Sequence, residues 1–329
     1  METMKEVIFE KTGLPEDVLQ VKDSPRPEPK PHEVQLEVKA RNINPSDLLF
    51  IQGQYGVQPD LPSSAGFEAA GIVSIADKEG KFPVGTRVMF TAQGTTMGTW
   101  REYITLSTKQ VFPMPEGMSF EVACQAFVNP VTAVALINKS GLKAGEWLLL
   151  TAGASAFGKF ALQVAKSKGI KVVCTVRHDE QKKYLADLGA DLVINTEKEE
   201  LKKIVSDVVG DGVSAVFDAV GGELGAMALA CIRQFGKMYV FGVLSLQNMP
   251  LNTGMIIFKE VTIEGFWLSS ILQRIGSEER AKLYRETQTF LMGDDTKAEV
   301  AGKFPLVEVK SAIEAYNRPG RNGKILLIS

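Results

Sequence analysis

Two different patterns of hydrophobic and polar positions divide the chain. Over about the first 120 residues, apolar and polar positions alternate in short runs that glycine and proline interrupt. This pattern is typical of antiparallel strands joined by tight loops. The clearest runs are Val34 to Ala40, Ala70 to Ala76 and Arg87 to Thr91. The first part of the chain is therefore predicted to be a mostly β domain.

From about Ala123, apolar strands alternate with helical segments, which is the pattern of consecutive βαβ units. Such units build a parallel sheet, and six strands suit a doubly wound α/β (Rossmann) fold. The predicted strands are Trp147 to Thr151, Lys171 to Val176, Leu192 to Ile194, Ala215 to Val220, Lys237 to Val243 and Val261 to Trp267.

The end of the chain changes pattern again. A charged helix is predicted after about Ser269, and a short β-like tail ends the chain at Lys324 to Ser329. We expect this tail to return to the first domain. The predicted organisation is a β domain over 1–122, a dinucleotide-binding domain over 123–268 and a returning segment over 269–329.

Composition and charge narrow the class of protein. The chain has 329 residues, of which 45% are hydrophobic and 23% are charged, as in an ordinary globular protein of about two domains. The formal net charge is −2 and the basic residues form no block, which argues against a nucleic-acid partner. Cys124, Cys174 and Cys231 lie far apart in apolar contexts, so they are expected to be buried and not to form a disulfide framework.

Targeting signals are not evident in the sequence. The first residues run directly into a predicted strand without the regions of a signal or transit peptide. No apolar stretch is long enough to span a bilayer. The expectation is a cytoplasmic protein without a membrane partner.

The most informative segment is Glu146 to Gly158, in which a buried strand turns through small residues into a helix. Small residues let the backbone approach a pyrophosphate, which the N-terminus of a helix favours. The motif is imperfect, because Ser155 stands where G-x-G-x-x-G has its middle glycine. A tight turn without a ligand is the alternative. We assign the pyrophosphate contacts to Ala154, Ser155, Ala156 and Phe157.

Arg177 follows the second strand of the series, where an NAD-binding protein normally has an acidic residue against the ribose hydroxyls. An arginine can instead pair with the 2′-phosphate of NADPH. NADP(H) is therefore favoured as the cofactor. Asp179 and Glu180 follow closely, so a shifted strand end would restore an acidic contact.

Several further motifs occur in order along nearly the whole chain, and with them the sequence resembles the medium-chain dehydrogenase/reductase superfamily. The resemblance implies a Rossmann domain combined with a GroES-like β domain. The motifs are Ala65-Gly-Phe-Glu-Ala-Ala-Gly71, Pro83-Val-Gly-Thr-Arg-Val88, Gly98-Thr-Trp-Arg-Glu-Tyr103, Leu188-Gly-Ala-Asp191 and Phe217-Asp-Ala-Val-Gly-Gly222.

Zinc-dependent members of this superfamily carry an early cysteine, a Gly-His-Glu segment and a lobe of four cysteines. Here the early position lies in Asn44-Pro-Ser-Asp47, Phe67 takes the histidine's place, and the cysteine lobe is missing. His32 and His178 are the only histidines of the sequence. Because zinc needs nitrogen or sulfur ligands in a tetrahedron, a zinc-independent mechanism is predicted, with no metal ligand assigned.

Within the superfamily the chain looks most like the 2-enoyl thioester (enoyl-ACP or enoyl-CoA) reductases. The resemblance rests on Asn44-Pro-Ser-Asp47 with Gln52-Gly-Gln-Tyr-Gly56, on Val128-Asn-Pro-Val-Thr-Ala133, on Val176-Arg177 and above all on Gly265-Phe-Trp-Leu-Ser269. Quinone oxidoreductases share the general frame and the missing zinc, so they remain an alternative.

The resemblance implies roles for several residues. Tyr55 matches the family's catalytic tyrosine, as a proton donor or as a hydrogen-bond donor to the thioester carbonyl, and its alternative is an aromatic in a glycine-rich loop. Asn129 is expected beside the nicotinamide ribose or carboxamide, although Asn before Pro also suits a helix N-cap. The remaining implied cofactor contacts, which could equally be core or surface positions, are Phe241, Gly242, Phe266, Trp267, Leu268 and Lys324.

The function predicted from the sequence is NADPH-dependent reduction of an activated C=C bond, most concretely that of a trans-2-enoyl thioester. The alternatives are an NADPH quinone oxidoreductase and a non-catalytic nucleotide-sensing protein. The expected partners are a small-molecule substrate and a second copy of the chain, forming a homodimer through the nucleotide domains.

Overall fold

Contacts divide the computed structural model, which describes residues 2–92, 98–293 and 298–329, into two compact units. Unit 1 comprises Met1–Val128 and Ala298–Ser329, and unit 2 comprises Asn129–Lys297. The sequence predicts these divisions at 122/123 and 268/269. The charged helix after Ser269 lies in unit 2 because its Phe290 ring contacts the Phe160 ring, with centroids 6.4 Å apart.

The N-terminal segment of unit 1 consists of short strands with a few short helices. Its elements are β1 (Thr3–Phe9), α1 (Pro15–Val18), β2 (Gln20–Pro25), β3 (Glu33–Asn42), α2 (Pro45–Ile51), β4 (Ser63–Ser64), β5 (Glu68–Ile75), β6 (Arg87–Thr91), β7 (Tyr103–Ser107), β8 (Val111–Pro113) and α3 (Phe120–Ala123).

Strands and helices alternate in unit 2. Its elements, the first of which begins at the last residue of unit 1, are α4 (Val128–Ser140), β9 (Trp147–Leu150), α5 (Ala156–Ser167), β10 (Lys171–Val176), α6 (Glu180–Asp187), β11 (Leu192–Asn195), α7 (Leu201–Val209), β12 (Val213–Asp218), α8 (Gly222–Ala230), β13 (Ile232–Val240), α9 (Thr253–Lys259), β14 (Thr262–Gly265), α10 (Leu268–Arg274) and α11 (Ser277–Leu291).

The C-terminal segment of unit 1 contains β15 (Val300–Pro305), α12 (Val309–Asn317) and β16 (Lys324–Ile328). Strand β16 pairs antiparallel with β3 and parallel with β15. It thereby joins a sheet with the strand order β15-β16-β3-β5-β6-β8, in which β7 also pairs with β3. A second sheet has the order β2-β1-β4. The last residues of the chain are therefore fastened to a strand near its beginning.

The sheet of unit 2 has the order β11-β10-β9-β12-β13-β14, and every pairing in it is parallel. Counted along the chain this is the order 3-2-1-4-5-6, which defines the doubly wound dinucleotide-binding fold. Helix α5 buries Phe160, Ala161, Val164 and Ala165, the face expected from their spacing. The predicted fold class, a Rossmann sheet plus a mostly antiparallel GroES-like β domain, is confirmed.

Two smaller expectations concern the cysteines and membrane spans. Cys124, Cys174 and Cys231 are buried and free. In the part of the chain that the structure describes, none of the helices has the length and apolarity needed to cross a bilayer.

Candidate functional site

The turn after β9 leads the chain into α5 and is held by close packing. The Gly153 amide donates to the Thr175 carbonyl at 2.9 Å, which fastens the turn to β10. A Cβ on Gly153 would lie 2.6 Å from the Cβ of Cys174, and a Cβ on Gly158 would lie 2.4 Å from the Gly153 oxygen. Both distances are far below normal contact, so packing requires glycine at these two positions of the motif.

Ser155 takes the place of the motif's middle glycine and caps α5. Its Oγ accepts a hydrogen bond from the Gly158 amide at 3.0 Å. Ala156 and Phe157 begin the helix, and a helix leaves the first amides without partners of its own. The serine thus fixes the start of α5 while the amides of Ala156 and Phe157 stay available for an anionic group.

A buried brace that the sequence analysis did not anticipate joins the ends of β9 and β12. Thr151 Oγ1 donates to Asp218 Oδ1 at 2.7 Å and accepts from the Ala219 amide at 2.8 Å. Asp218 also accepts from the Val220 and Gly221 amides, each at 3.0 Å. The Phe217-Asp-Ala-Val-Gly-Gly222 motif contains this aspartate, but its partner Thr151 is distant in sequence. These hydrogen bonds fasten the end of β9 to the end of β12.

The residues that follow β13 and β14 lie at the same edge, because carboxyl ends of parallel strands share one edge. Phe241 contacts Phe157 with ring centroids 4.1 Å apart. A Cβ on Gly242 would lie 2.5 Å from the Ala219 oxygen, so its backbone passes close to the end of β12. Phe266 and Leu268 are buried and Trp267 is 40% exposed. Three predicted cofactor-binding segments therefore lie at one edge of the sheet. They are the turn before α5, Phe241–Gly242 and Phe266–Leu268.

Arg177 directly follows β10 at this edge and is exposed to solvent. Asp179, the acidic alternative, is held by two neighbours. Its Oδ1 accepts from Asn195 Nδ2 at 2.7 Å, and its Oδ2 accepts from Lys198 Nζ at 2.6 Å. These hydrogen bonds lower the pKa of Asp179 and keep it ionised.

Asn129 lies inside the first turn of α4, which begins at Val128. The N-cap position that the sequence allowed for Asn129 is therefore not found. Its side-chain Nδ2 is buried and lacks a hydrogen-bond partner among the described residues. Buried amide groups normally have a partner, which makes this atom a candidate to bind a ligand.

Tyr55 lies in the loop after α2 and packs against Phe67, with ring centroids 5.0 Å apart. Gln58 Nε2 donates to the backbone oxygens of Gly53 at 3.2 Å and of Tyr55 at 3.4 Å. Helix α2 itself starts with a capping box between Asn44 and Asp47. Asp47 Oδ1 also accepts from the Phe67 amide at 2.9 Å, so α2 and the Phe67 segment are tied together.

Glu68 is buried and accepts four hydrogen bonds from distant parts of the sequence. Its Oε1 accepts from Asn42 Nδ2 at 2.7 Å and from Asn44 Nδ2 at 2.9 Å. Its Oε2 accepts from the amides of Phe127 at 3.1 Å and Val128 at 2.9 Å. The Val128 amide belongs to the first residue of α4, which favours a negative charge there. Glu68 thus links β3, α2 and the residue that precedes Asn129.

Lys324 is 4% exposed, and its ammonium donates to Asn44 Oδ1. This burial excludes the solvated surface position that the sequence had left open. Burial lowers the pKa of Lys324 to about 8, while Glu68 and Asp47 act in the opposite direction. Burial raises the pKa of Asp47 to about 7, although the hydrogen bonds from the Asn44 and Phe67 amides lower it. Lys324 therefore supplies a positive charge to a cluster that contains two buried carboxyl groups.

Comparison with known proteins places this architecture among the alcohol-dehydrogenase-like oxidoreductases. The family models "Alcohol dehydrogenase GroES-like domain" and "Zinc-binding dehydrogenase" match residues 30–116 and 156–285. The mitochondrial enoyl-[acyl-carrier-protein] reductase of Caenorhabditis elegans is 30% identical over 318 residues, which cover 94% of this chain and 91% of that protein. The quinone oxidoreductase of Salmonella typhimurium is 31% identical over 331 residues, which cover 97% and 98%.

A solved structure agrees with these relatives. The crystal structure of Escherichia coli quinone oxidoreductase complexed with NADPH matches with a TM-score of 0.90 and 29% identity over 99% of this chain and 100% of that chain. The chain belongs to the medium-chain dehydrogenase/reductase superfamily.

The residues at the zinc-ligand positions of this superfamily do not fit a zinc ion here. Asn44 presents its oxygen to the Lys324 ammonium, and Phe67 is apolar. Each oxygen of Glu68 already accepts two hydrogen bonds. A search of the described ranges finds no group of three or more His, Cys, Asp or Glu side chains arranged to hold a metal ion.

Proposed function

We propose that this chain reduces an activated C=C bond with NADPH, and that a trans-2-enoyl thioester is its class of substrate. The observation that carries the proposal is the contact of Tyr55 with Phe67, whose rings lie 5.0 Å apart. Phe67 stands where zinc-dependent relatives have a histidine ligand. A phenol beside this position can donate a hydrogen bond to a substrate oxygen, in place of the polarisation that a coordinated metal ion would provide.

The carboxyl edge of the unit 2 sheet would hold the cofactor. The amides of Ala156 and Phe157 would bind the pyrophosphate, and Arg177 would pair with the 2′-phosphate. Phe241, Gly242 and Phe266 to Leu268 would line the nicotinamide end, and the unpartnered Nδ2 of Asn129 would donate to the ribose or carboxamide. Lys324 would also contact the cofactor. Its ammonium has three N–H donors, and the hydrogen bond to Asn44 uses one of them.

The chemistry requires three events, which are hydride transfer to the β-carbon, stabilisation of the enolate oxygen and protonation of the α-carbon. Bound NADPH would supply a hydride to the β-carbon of the conjugated thioester. The electron pair of the double bond then moves toward the carbonyl oxygen, where a hydrogen-bond donor stabilises the negative charge. Tyr55 would either donate a hydrogen bond to this oxygen, in which case solvent would protonate the α-carbon, or give its own proton to the α-carbon, after which solvent would reprotonate the phenolate.

Quinone reduction is the second candidate, and it is favoured by the relatives from Salmonella typhimurium and Escherichia coli that are named for it. A side-by-side assay of NADPH oxidation with crotonyl-CoA and with 1,4-naphthoquinone separates the two. We expect kcat/KM for crotonyl-CoA to exceed that for the quinone. A faster quinone reaction would contradict the enoyl proposal, and NADPH binding without oxidation across both acceptors would instead support a nucleotide-sensing protein.

We also propose a homodimer that forms through unit 2. Its surface exposes large apolar side chains on and near α9, including Ile257 at 65% and Phe258 at 80% exposure. Such exposure is typical of an interface. Sedimentation of the wild type is expected to give a dimer, and Phe258→Glu a monomer. Leu14→Glu, at an exposed apolar position of unit 1, is the matched control. A monomeric wild type would refute the proposal.

The cytoplasmic location remains a proposal. The relative from Caenorhabditis elegans is mitochondrial by name, whereas that from Salmonella typhimurium is bacterial. Cell fractionation that recovers the chain in an organelle or membrane fraction would contradict it.

A further inference from the structure

The ends of β10 and β11 bring an arginine, an aspartate, an asparagine and a lysine together. Strands β10 and β11 are parallel neighbours, and Val176 is the register partner of Asn195. Arg177 therefore starts next to the point where β11 ends. Asp179 lies two residues further along, just before α6. Both residues follow the strand whose end selects between NADH and NADPH in this fold.

Each carboxylate oxygen of Asp179 accepts a hydrogen bond from a neighbouring side chain. Asn195 donates to Oδ1 at 2.7 Å, and Lys198 donates to Oδ2 at 2.6 Å. Lys182 adds an ammonium 3.9 Å from Oδ1. Hydrogen bonds from Asn195 and Lys198 lower the pKa of Asp179. The hydrogen bond to Asp179 raises the pKa of Lys198. Both pKa shifts are those expected of an ion pair between Asp179 and Lys198.

The asparagine of this group has a fixed orientation. Asn195 is completely buried, and its Oδ1 accepts from the Glu197 amide at 3.1 Å. The Asn195 backbone amide donates to Glu199 Oε2 at 2.7 Å. Because the side-chain oxygen has its own donor, the amide nitrogen is left to face Asp179. The pairing of Asp179 with Asn195 is thus built into the end of β11.

We propose that Lys198 and Asn195 are specificity-determining residues that act by withholding Asp179 from the cofactor. The inference rests on the proposed NADPH dependence and adds to it the reason why an acidic residue beside Arg177 does not oppose it. A free aspartate here would accept a hydrogen bond from the ribose 2′-hydroxyl of NADH and would repel a 2′-phosphate. Held by Lys198 and Asn195, Asp179 has a donor on each oxygen and its charge is compensated, which makes it a weaker acceptor for the ribose hydroxyl and weakens its repulsion of a 2′-phosphate.

The test measures a ratio of dissociation constants and needs no turnover. Binding of NADPH and NADH is measured by protein fluorescence at low ionic strength, where exposed charges are least screened. The quantity compared is Kd(NADH)/Kd(NADPH) for the wild type, Lys198→Met, Asp179→Asn and the double variant. Lys183→Met is the matched control, because it removes an equal charge from an exposed ion pair, the one that Lys183 forms with Asp187 within α6.

We expect Lys198→Met to lower the ratio about threefold to fivefold, the upper part of the range of a single exposed ion pair. Asp179→Asn should keep the wild-type ratio or raise it, and Lys198→Met should have no further effect in the Asp179→Asn background. Lys183→Met should leave the ratio unchanged. Circular dichroism and the melting temperature establish that each surface variant is folded.

Three results would overturn the inference while leaving NADPH dependence intact. The first is an unchanged Kd(NADH)/Kd(NADPH) in Lys198→Met, and the second is an equal fall of this ratio in Lys183→Met. The third is an equal fall when Lys198→Met is added to Asp179→Asn, which would mean that Lys198 acts on the phosphate directly. A wild-type ratio near one would overturn the proposed choice of cofactor and this inference together, and it is recognised before any variant is compared.

Discussion

Replacing Glu68 by glutamine preserves the shape of the side chain but removes half of its acceptors. The carboxylate accepts two donors on each oxygen, Asn42 and Asn44 on Oε1 and the amides of Phe127 and Val128 on Oε2. A glutamine can present an oxygen to one pair, and its NH₂ group then faces the other two donors. Two hydrogen bonds to a charged group are lost, whichever way the amide turns.

The expected loss is large. Each hydrogen bond to a charged group contributes about 1.5–3 kcal/mol, so two lost bonds destabilise unit 1 by about 3–6 kcal/mol. In a domain of this size about 1 kcal/mol lowers the melting temperature by about 2–4 °C. Differential scanning calorimetry of Glu68→Gln should therefore show the transition of unit 1 at least about 6 °C lower.

Glu116→Gln provides the control, since Glu116 is an exposed residue of the same unit. Its free energy of unfolding should stay within about 0.5 kcal/mol of the wild-type value, as for surface substitutions in general, so its melting temperature should change by no more than about 2 °C. If Glu68→Gln melts together with Glu116→Gln, the buried carboxylate is not the centre of hydrogen bonding that we describe.

Two other substitutions test the cofactor-binding edge. Arg177→Ala should raise Kd for NADPH about tenfold to a hundredfold through loss of a charged hydrogen bond, while Kd for NADH stays unchanged. Equal weakening of both cofactors in a fluorescence titration would contradict the role of Arg177. Gly158→Ala places a Cβ 2.4 Å from the Gly153 oxygen and should raise Kd for NADPH at least about tenfold by displacing the turn. Gly276→Ala, whose Cβ meets open space, is its control, and equal Kd values for the two variants would show that the turn tolerates a side chain.

Local sequence patterns predicted the bounds of a unit 2 strand well where the strand is a single apolar run with clear boundaries. Strand β10 spans Lys171–Val176, as predicted, because it is an apolar run between a glycine and charged residues. Strand β12 ends earlier than predicted, at Asp218, since this carboxylate turns back to accept the Val220 and Gly221 amides. Strand β13 begins earlier than predicted, at Ile232, in a segment whose mixed polar residues hide the strand pattern.

The long-range parts of the site were not predictable from such patterns. The donors to Glu68 come from β3, the start of α2 and the start of α4, so their convergence depends on the tertiary fold. Lys324 looked equally suited to a surface position, and only its pairing strands β3 and β15 place it beside Asn44. The family resemblance singled out Lys324 and included Asn44 and Glu68 in its motifs, without the hydrogen bonds that join them.

The catalytic role of Tyr55 is tested by the turnover of crotonyl-CoA with NADPH by Tyr55→Phe. Phenylalanine keeps the ring that packs against Phe67 and removes the phenolic donor. We predict that kcat falls about a hundredfold to a thousandfold, the effect of losing one donor to a developing oxyanion, while Kd for NADPH stays at the wild-type value. Turnover equal to that of the wild type would contradict the catalytic role of Tyr55 and, with it, the account of a metal-free enoyl reduction.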